Sequence, residues 1–357
     1  MAVGTPHTGA RTVALPAPRG PWTEALYALL DNAADPPPVA AELSGANDVL
    51  YDDDLQMALY LCYELHYAAL EGVDDRQEWS PLVLMFRGGL ECEFDAALRR
   101  LVAEPARETP SVGEELQRLV AEDDGPPLSR YVETQASLDQ LLEHVVHRSA
   151  YQLKEADPHS WTIPRLTGRA KAALVEIQAD EYGGGRPDRI HAVLFENTMR
   201  ALGLDGRYGA YLDWLPGITL ATVNLMSYFG LHRRLRGALA GHLAVFEMTS
   251  SIPNRRYGNG IRRLGLGPDV TDFYDEHVEA DAVHENIAAW DLANSLALAE
   301  PELESDILFG ARALLALEGE WAAHLLNSWK DGRTSLTRPL AHAKPPARRL
   351  QNSGSRT

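Results

Sequence analysis

The chain has 357 residues, of which 45% are hydrophobic, so it can form one large core or two smaller ones. Its net charge of −18 argues against nucleic acid or an anionic membrane surface as the main partner. Two cysteines do not make a disulfide framework, and no apolar run approaches the roughly 20 residues of a membrane span. We therefore expect a cytoplasmic protein that acts on a small molecule.

Helical periodicity dominates the sequence, and alternating strand patterns are nearly absent. After a predicted disordered leader at residues 1–20, start and stop signals predict helices at residues 54–72, 80–103, 137–158, 160–185, 186–204, 215–231, 233–251, 269–298 and 301–329. A short helix broken by glycines is predicted at residues 252–268. Since no repeat of 30–45 residues is present, the prediction is an all-α bundle rather than a solenoid.

A cluster of proline and acidic residues between positions 105 and 127 marks the predicted domain boundary. Residues 21–127 would form an N-terminal helical subdomain, and residues 128–330 would form the principal bundle. The last residues, 331–357, are rich in proline, serine and arginine and predict a disordered basic tail, with a docking arm as the alternative.

The sequence DEHVEADAVHEN, residues 275–286, places three potential metal donors on one predicted helix. His277, Asp281 and His284 are spaced i, i+4 and i+7, so they share one narrow helical face. The neighbouring acidic residues Glu276, Glu279 and Glu285 should lie off that face. Taken alone, the arrangement is as compatible with an exposed surface as with one wall of a metal site.

Further donors of the same kind lie on other predicted helices. Glu155 stands in YQLKEADPHSW, and Glu181 and His191 flank the break in ADEYGGGRPDRIH. Carboxylates and imidazoles that converge inside a helical bundle are typical of a dinuclear iron or manganese site. The absence of additional thiolates argues against copper, structural zinc or an iron–sulfur cluster.

Several other polar residues have roles that the sequence leaves open. Glu247, in AVFEMTSS, is predicted to support a ligand or touch the substrate, or to do neither. Glu176 and Asp180 are predicted to support the ligands from outside or to lie on the surface.

Two short patterns complete the list of candidates. Three residues share the helical stripe of Glu155 and are predicted in or near the site, in supporting or packing roles: His144, Arg148 and Tyr151. Glu64 and His66, in YELHY, are two positions apart and point in different directions. We therefore expect them to pack or hydrogen-bond rather than to chelate one ion.

With these motifs the chain resembles the heme-oxygenase-like diiron oxidase and oxygenase superfamily, whose members are often described as iron-containing redox enzymes. The resemblance rests on KEADPHSW, ALVEIQADEYGGG, the histidine ten residues after Glu181, and HVEADAVH, and it covers roughly residues 137–296. It implies a heme-oxygenase-like helical bundle with six metal ligands: Glu155, Glu181, His191, His277, Asp281 and His284.

The resemblance also implies a function. Two iron ions, cycling between Fe2+ and Fe3+, would activate O2 as cosubstrate and oxidise a small organic substrate by N-oxygenation, desaturation or C–C cleavage. An external electron donor and a homodimer are compatible with this function. The alternative is a non-catalytic or heme-related helical binding protein on the same scaffold. The six ligands would fill the space that a porphyrin needs, which disfavours the hypothesis of a heme-related protein.

Overall fold

The computed structural model describes residues 12–31, 48–102 and 107–340, and the side chains of residues 279–283 lie outside its description. Within these ranges the chain is helical and forms no β-strand, apart from an isolated bridge between Val13 and Leu70. The prediction of an all-α bundle is confirmed. No helix in the described ranges is both long and apolar enough to cross a bilayer.

The helices in the first part of the chain are α1 (Pro21–Leu30), α2 (Asp53–Glu64), α3 (Pro81–Leu101), α4 (Val112–Ala121) and α5 (Leu128–Thr134). Those that follow are α6 (Leu138–Gln152), α7 (Asp157–Ser160), α8 (Gly168–Glu181), α9 (His191–Ala201), α10 (Gly217–Leu231), α11 (Arg236–Arg263) and α12 (Pro268–Asn286). A π-helix, Ile287–Asn294, continues α12 and is followed by α13 (Ser295–Ala299) and α14 (Glu304–Lys330). Short 3-10 turns connect the helices at Val49–Tyr51, Asp75–Trp79, Ile163–Arg165, Gly183–Gly185, Pro187–Arg189, Leu212–Trp214, Arg233–Leu235 and Pro301–Leu303.

The predicted helix at residues 137–158 is shorter in the structure and ends at Gln152. Its start is as predicted, because Ser137 and Gln140 form a reciprocal capping box. Its end comes early because Pro158 has no N–H for the carbonyl of Lys154, and a proline ring clashes with that carbonyl in a continuous helix. Glu155 therefore lies in the turn between α6 and α7, not in the last turn of a helix.

The separate short helix predicted at residues 252–268 is wrong, because α11 continues through Pro253 to Arg263. The helix break comes after Arg263, where Gly265 has a φ of 78°. Inside α11, Gly260 allows close packing rather than a break. A Cβ atom on Gly260 would lie 2.5 Å from the carbonyl oxygen of Val132 in α5. The sequence pattern could not distinguish these two uses of glycine.

Both predicted disordered ends contain ordered residues. In the leader, Val13 is buried and its N–H donates to the Ala69 carbonyl at 3.1 Å. In the tail, Ser335 and Leu336 are buried, and the Ser335 hydroxyl lies 3.0 Å from Nε2 of His147. The composition of these segments indicated disorder, but their contacts with the bundle hold them in place. Residues 1–11 and 341–357 lie outside the described residues.

Two hydrophobic cores hold the helices together, and each crosses the predicted boundary at residues 127–128. The larger core joins Leu26 and Leu59 of the N-terminal helices to Leu220 of α10. The smaller core joins Leu116 of α4 to Ala288 of the π-helix. The division into two domains stays a prediction, and the helix α4 lies within the segment 105–127 that marks the predicted boundary.

A close contact between α11 and α14 depends on two glycines. A Cβ atom on Gly310 would lie 1.9 Å from the Ala238 carbonyl oxygen, and one on Gly241 would lie 1.8 Å from the Ile307 carbonyl oxygen. Gly310→Ala is therefore expected to lower the free energy of unfolding by about 3 kcal/mol or more, since the backbones must separate. Chemical denaturation would measure the change.

Gly88→Ala is the matched control for this prediction. Gly88 lies inside α3, and a Cβ atom there would meet nothing within 4 Å. The control should raise the free energy of unfolding by roughly 0.5–1 kcal/mol, as alanine does in a helix. Equal effects of the two substitutions would contradict the close-packing argument.

Candidate metal centre

Five of the six predicted donors are brought together in the centre of the bundle. Their side chains are buried: Glu155, Glu181, His191, His277 and His284. Glu155 comes from the turn after α6, and His277 and His284 come from α12. The sixth, Asp281, belongs to α12 by its backbone, but its side chain lies outside the described residues, so its part in the site stays a prediction.

The glycine-rich break between α8 and α9 positions two of these donors. Glu181 is the last residue of α8 and His191 is the first residue of α9. Gly183 has a φ of 72° and lies so close to the chain that a Cβ atom would be 2.7 Å from the Arg189 carbonyl carbon. This tight reversal brings Oε2 of Glu181 to 3.0 Å from Nδ1 of His191.

The donors form two adjacent groups of three. The ligand atoms of Glu155, His191 and His277 lie within 4.8 Å of one another, and so do those of Glu181, Glu247 and His284. The 3.0 Å contact between Glu181 and His191 joins the groups. The arrangement is therefore suited to two neighbouring cations.

The structure adds Glu247, whose role the sequence left open. Its side chain is buried, and Oε2 lies 3.5 Å from Nδ1 of His284. One signal in the sequence could have identified it, because Glu247 is the sole acidic residue among the 28 residues of α11. An isolated carboxylate in an apolar stretch is costly to bury without a partner or a metal.

The acidic neighbours on α12 take other positions. Glu276 forms an ion pair with Arg189 and does not belong to either donor group. Glu285 is half-buried, and the side chain of Glu279 lies outside the described residues.

Two hydrogen bonds orient the imidazoles of α12. Nδ1 of His277 donates to the Phe273 carbonyl at 2.8 Å, which turns Nε2 toward Glu155 at 3.5 Å. Nε2 of His284 donates to Oδ2 of Asp180 at 2.9 Å, which turns Nδ1 toward Glu247. In each ring the hydrogen bond on one nitrogen orients the imidazole, so the other nitrogen is directed at a carboxylate of the donor groups. Asp180 thus supports a donor, although its side chain is 60% exposed.

The pKa shifts reflect the crowding of carboxylates and imidazoles. Burial raises the pKa of Glu247. At Glu155 burial acts in the same direction, but the neighbouring His277 outweighs it and lowers the pKa. Burial lowers the pKa of His284, but the Glu247 carboxylate reverses that shift and holds the value at about 9. The pKa of His191 is raised in the same way, because Glu181 outweighs burial. Carboxylate charge is therefore concentrated in a buried space, which favours a bound cation.

Unsatisfied atoms show that the residues fit a metal. Four buried donor atoms have no hydrogen-bond partner among the described residues: Oε2 of Glu155, Oε2 of Glu181, Nδ1 of His191 and Nδ1 of His284. Each such atom costs about 1–3 kcal/mol when it is left unpaired. Cations would satisfy all four, and a mixed set of carboxylates and imidazoles suits iron or manganese.

The remaining candidates lie beside the cluster. His144 and Arg148 line a cavity of about 370 Å³ that ends at Glu155 and His277. Tyr151 is buried and packs edge-on against Phe246.

The two residues of YELHY stand apart from the cluster, as predicted. Glu64 pairs with Lys154, and Nδ1 of His66 lies 3.1 Å from Oε1 of Glu78. Neither belongs to the donor groups.

Comparison with known proteins agrees with this geometry. Residues 142–319 match the family model described as iron-containing redox enzyme. A relative from Streptomyces achromogenes subsp. streptozoticus, described as a nitrosourea synthase, is 25% identical over 222 residues. The aligned region covers 56% of this chain and 47% of the relative, so the chain spans about half the length of that protein. The chain belongs to the iron-containing redox enzyme family, and its matched region contains every residue of the two donor groups.

Proposed function

We propose that this protein is a non-heme diiron oxidase or oxygenase that uses O2 to oxidise a small organic substrate. The observation that carries the proposal is the pair of adjacent, buried donor groups. Glu155, His191 and His277 would hold one iron ion, and the second group would hold the other. Two iron ions bound there would supply the electrons that reduce O2.

The protein's own residues perform three tasks in this proposal. Their carboxylates balance the charge of the metal ions in a buried space. Asp180 and the Phe273 carbonyl fix the two imidazoles of α12. Phe246 and Leu243 line a small pocket against the donors, where they limit the access of water.

The reaction outcome is one of N-oxygenation, desaturation or C–C cleavage. Nitrogen oxidation is the first outcome to test, because a nitrosourea contains an oxidised nitrogen and a relative is described as a nitrosourea synthase. We further propose a cytoplasmic location. Repeated turnover would require an external electron donor, and a homodimer is the proposed assembly.

Iron loading tests the proposal directly. Anaerobic apoprotein is titrated with Fe(II), bound iron is counted after gel filtration, and the loaded protein is mixed with O2 in a stopped-flow spectrometer. We expect about two irons per chain, with an O2-dependent visible absorbance change. His277→Ala combined with His284→Ala removes one imidazole from each group and should abolish stable loading.

Two results would overturn the proposal. One is wild-type protein that retains no more iron than the double variant. The other is tight binding of hemin together with no consumption of O2 by the Fe(II)-loaded protein, which would favour the heme-related alternative.

A further inference from the structure

A cavity reaches two residues of the donor groups, Glu155 and His277. Its volume is about 370 Å³, and its walls come from α5, α6, α11, α12, α14 and the segment that precedes α5. Glu155 and His277 form its inner end. Cavities of this size hold small organic ligands, and this one gives a bound molecule access to the donor groups.

The walls contain buried polar atoms that nothing in the described structure satisfies. The residues are at least nine-tenths buried, and the unpaired atoms are both ring nitrogens of His144, Oε1 of Gln152, Oη of Tyr274 and Nε1 of Trp321. Trp321 offers a hydrogen-bond donor and Gln152 offers an acceptor. His144 and Tyr274 can each act as donor or acceptor. An unpaired polar atom in a buried position is destabilising, so a ligand that carries both a donor and an acceptor is favoured where these side chains can turn toward it.

The charged groups deep in the cavity already compensate each other. The guanidinium of Arg148 makes two hydrogen bonds to the Glu318 carboxylate, at 2.9 and 2.6 Å. It also stacks over Trp321, with its central carbon 3.9 Å from the ring centroid. A charged ligand therefore finds no unmatched countercharge at this depth.

The other ionisable groups do not change this balance. Burial lowers the pKa of His144 to about 3, so its imidazole is neutral. Asp123 and Arg256, at the mouth, carry opposite charges. At the inner end the carboxylate of Glu155 belongs to the donor groups.

We propose that this cavity binds substrates through an uncharged planar group with both a hydrogen-bond donor and an acceptor, such as a carboxamide, held among aromatic walls. The aromatic side chains are those of Phe246, Tyr257, Tyr274 and Trp321. The identification of the bound molecule as the substrate rests on the proposed function. The binding preference itself rests only on the cavity.

A matched series of probes tests the preference. Benzamide, benzoate, benzamidinium and ethylbenzene have similar size and shape but differ in charge and in hydrogen-bonding groups. They are titrated by calorimetry into full-length protein loaded anaerobically with Fe(II), in which metal balances Glu155. Benzamide should bind with a Kd on the order of 1 mM or tighter, about 10-fold more tightly than the other three.

Substitutions at Gln152 locate the binding. Gln152→Glu introduces a carboxylate with almost no change in size. It should therefore weaken the binding of benzamide and make benzamidinium the preferred probe. Gln152→Leu should weaken the binding of benzamide about 10-fold without strengthening the binding of benzoate or benzamidinium. Gln117→Glu, on an exposed position of α4 outside the cavity, adds the same charge and should leave the ranking unchanged.

Three outcomes would overturn the inference. They are equal or tighter binding of benzoate or benzamidinium to the wild-type protein, no detectable benzamide binding, and benzamide binding that is insensitive to both Gln152 variants. The proposed function fails on a different measurement, the iron count. The two Gln152 variants are also titrated as apoproteins, so the cavity can be tested even if no iron binds.

Discussion

Glu247→Gln should reduce the bound iron from about two ions per chain to about one and should abolish O2-dependent turnover. The amide keeps the size of the side chain but removes the negative charge beside Nδ1 of His284, 3.5 Å away. Loss of groups that only support a ligand already costs about 10–100-fold in metal affinity, so loss of a direct ligand should exceed that range. Iron counting after anaerobic loading measures the effect.

Glu176→Gln is the control for this substitution. Glu176 lies on α8, the helix that carries Glu181, but its side chain is exposed and outside both donor groups. The Glu176→Gln substitution removes the same negative charge from the chain and should leave two irons bound. If Glu247→Gln also retained two irons with unchanged affinity, Glu247 would not be a ligand. Asp281 would then be the candidate to examine in its place.

Glu64→Gln should lower the free energy of unfolding by about 3–5 kcal/mol, because it leaves a buried lysine without its countercharge. Nζ of Lys154 lies 3.0 Å from Oε2 of Glu64, and both side chains are almost completely buried. The ammonium also lies 4.6 Å from the ring centroid of Tyr60 and 4.4 Å from that of Tyr67. Thermal or chemical denaturation gives the change in stability.

The double variant Glu64→Gln with Lys154→Met is the matched control. It removes both charges and keeps similar volumes, so most of the lost stability should return. A double variant as unstable as the single one would show that the charge is not the cause. Because Lys154 is adjacent to Glu155, the single variant should also loosen the turn that carries this donor and weaken iron binding.

Local periodicity was sufficient for the donors that lie close together in the sequence. The i, i+7 spacing of His277 and His284 placed both on one face of α12, since 100° per residue brings them within a narrow angle. The triple glycine predicted a helix break after Glu181, and the structure confirms that α8 ends at Glu181 and that α9 begins at His191. These features depend on neighbouring residues, which the sequence shows directly.

Other features depend on contacts between distant segments. Glu247 faces the donors because α11 packs against α12. Its isolation as the sole acidic residue of α11 marks it as unusual but does not show which residues it meets. The partner of Lys154 is 90 residues away, and Arg148 pairs with Glu318 across 170 residues. The end of α6 at Gln152, six residues before the predicted end at Pro158, places Glu155 in a turn instead of a helix.

The sequence by itself determined the helical class of the fold and most of the candidate donors, because helical periodicity and glycine turns are local. Only the tertiary structure decided that the donors form two groups, that Glu247 completes the second, and that a cavity with unpaired polar atoms opens onto them. Those facts depend on which helices meet and at what distance. That is a property of packing rather than of any single stretch of chain.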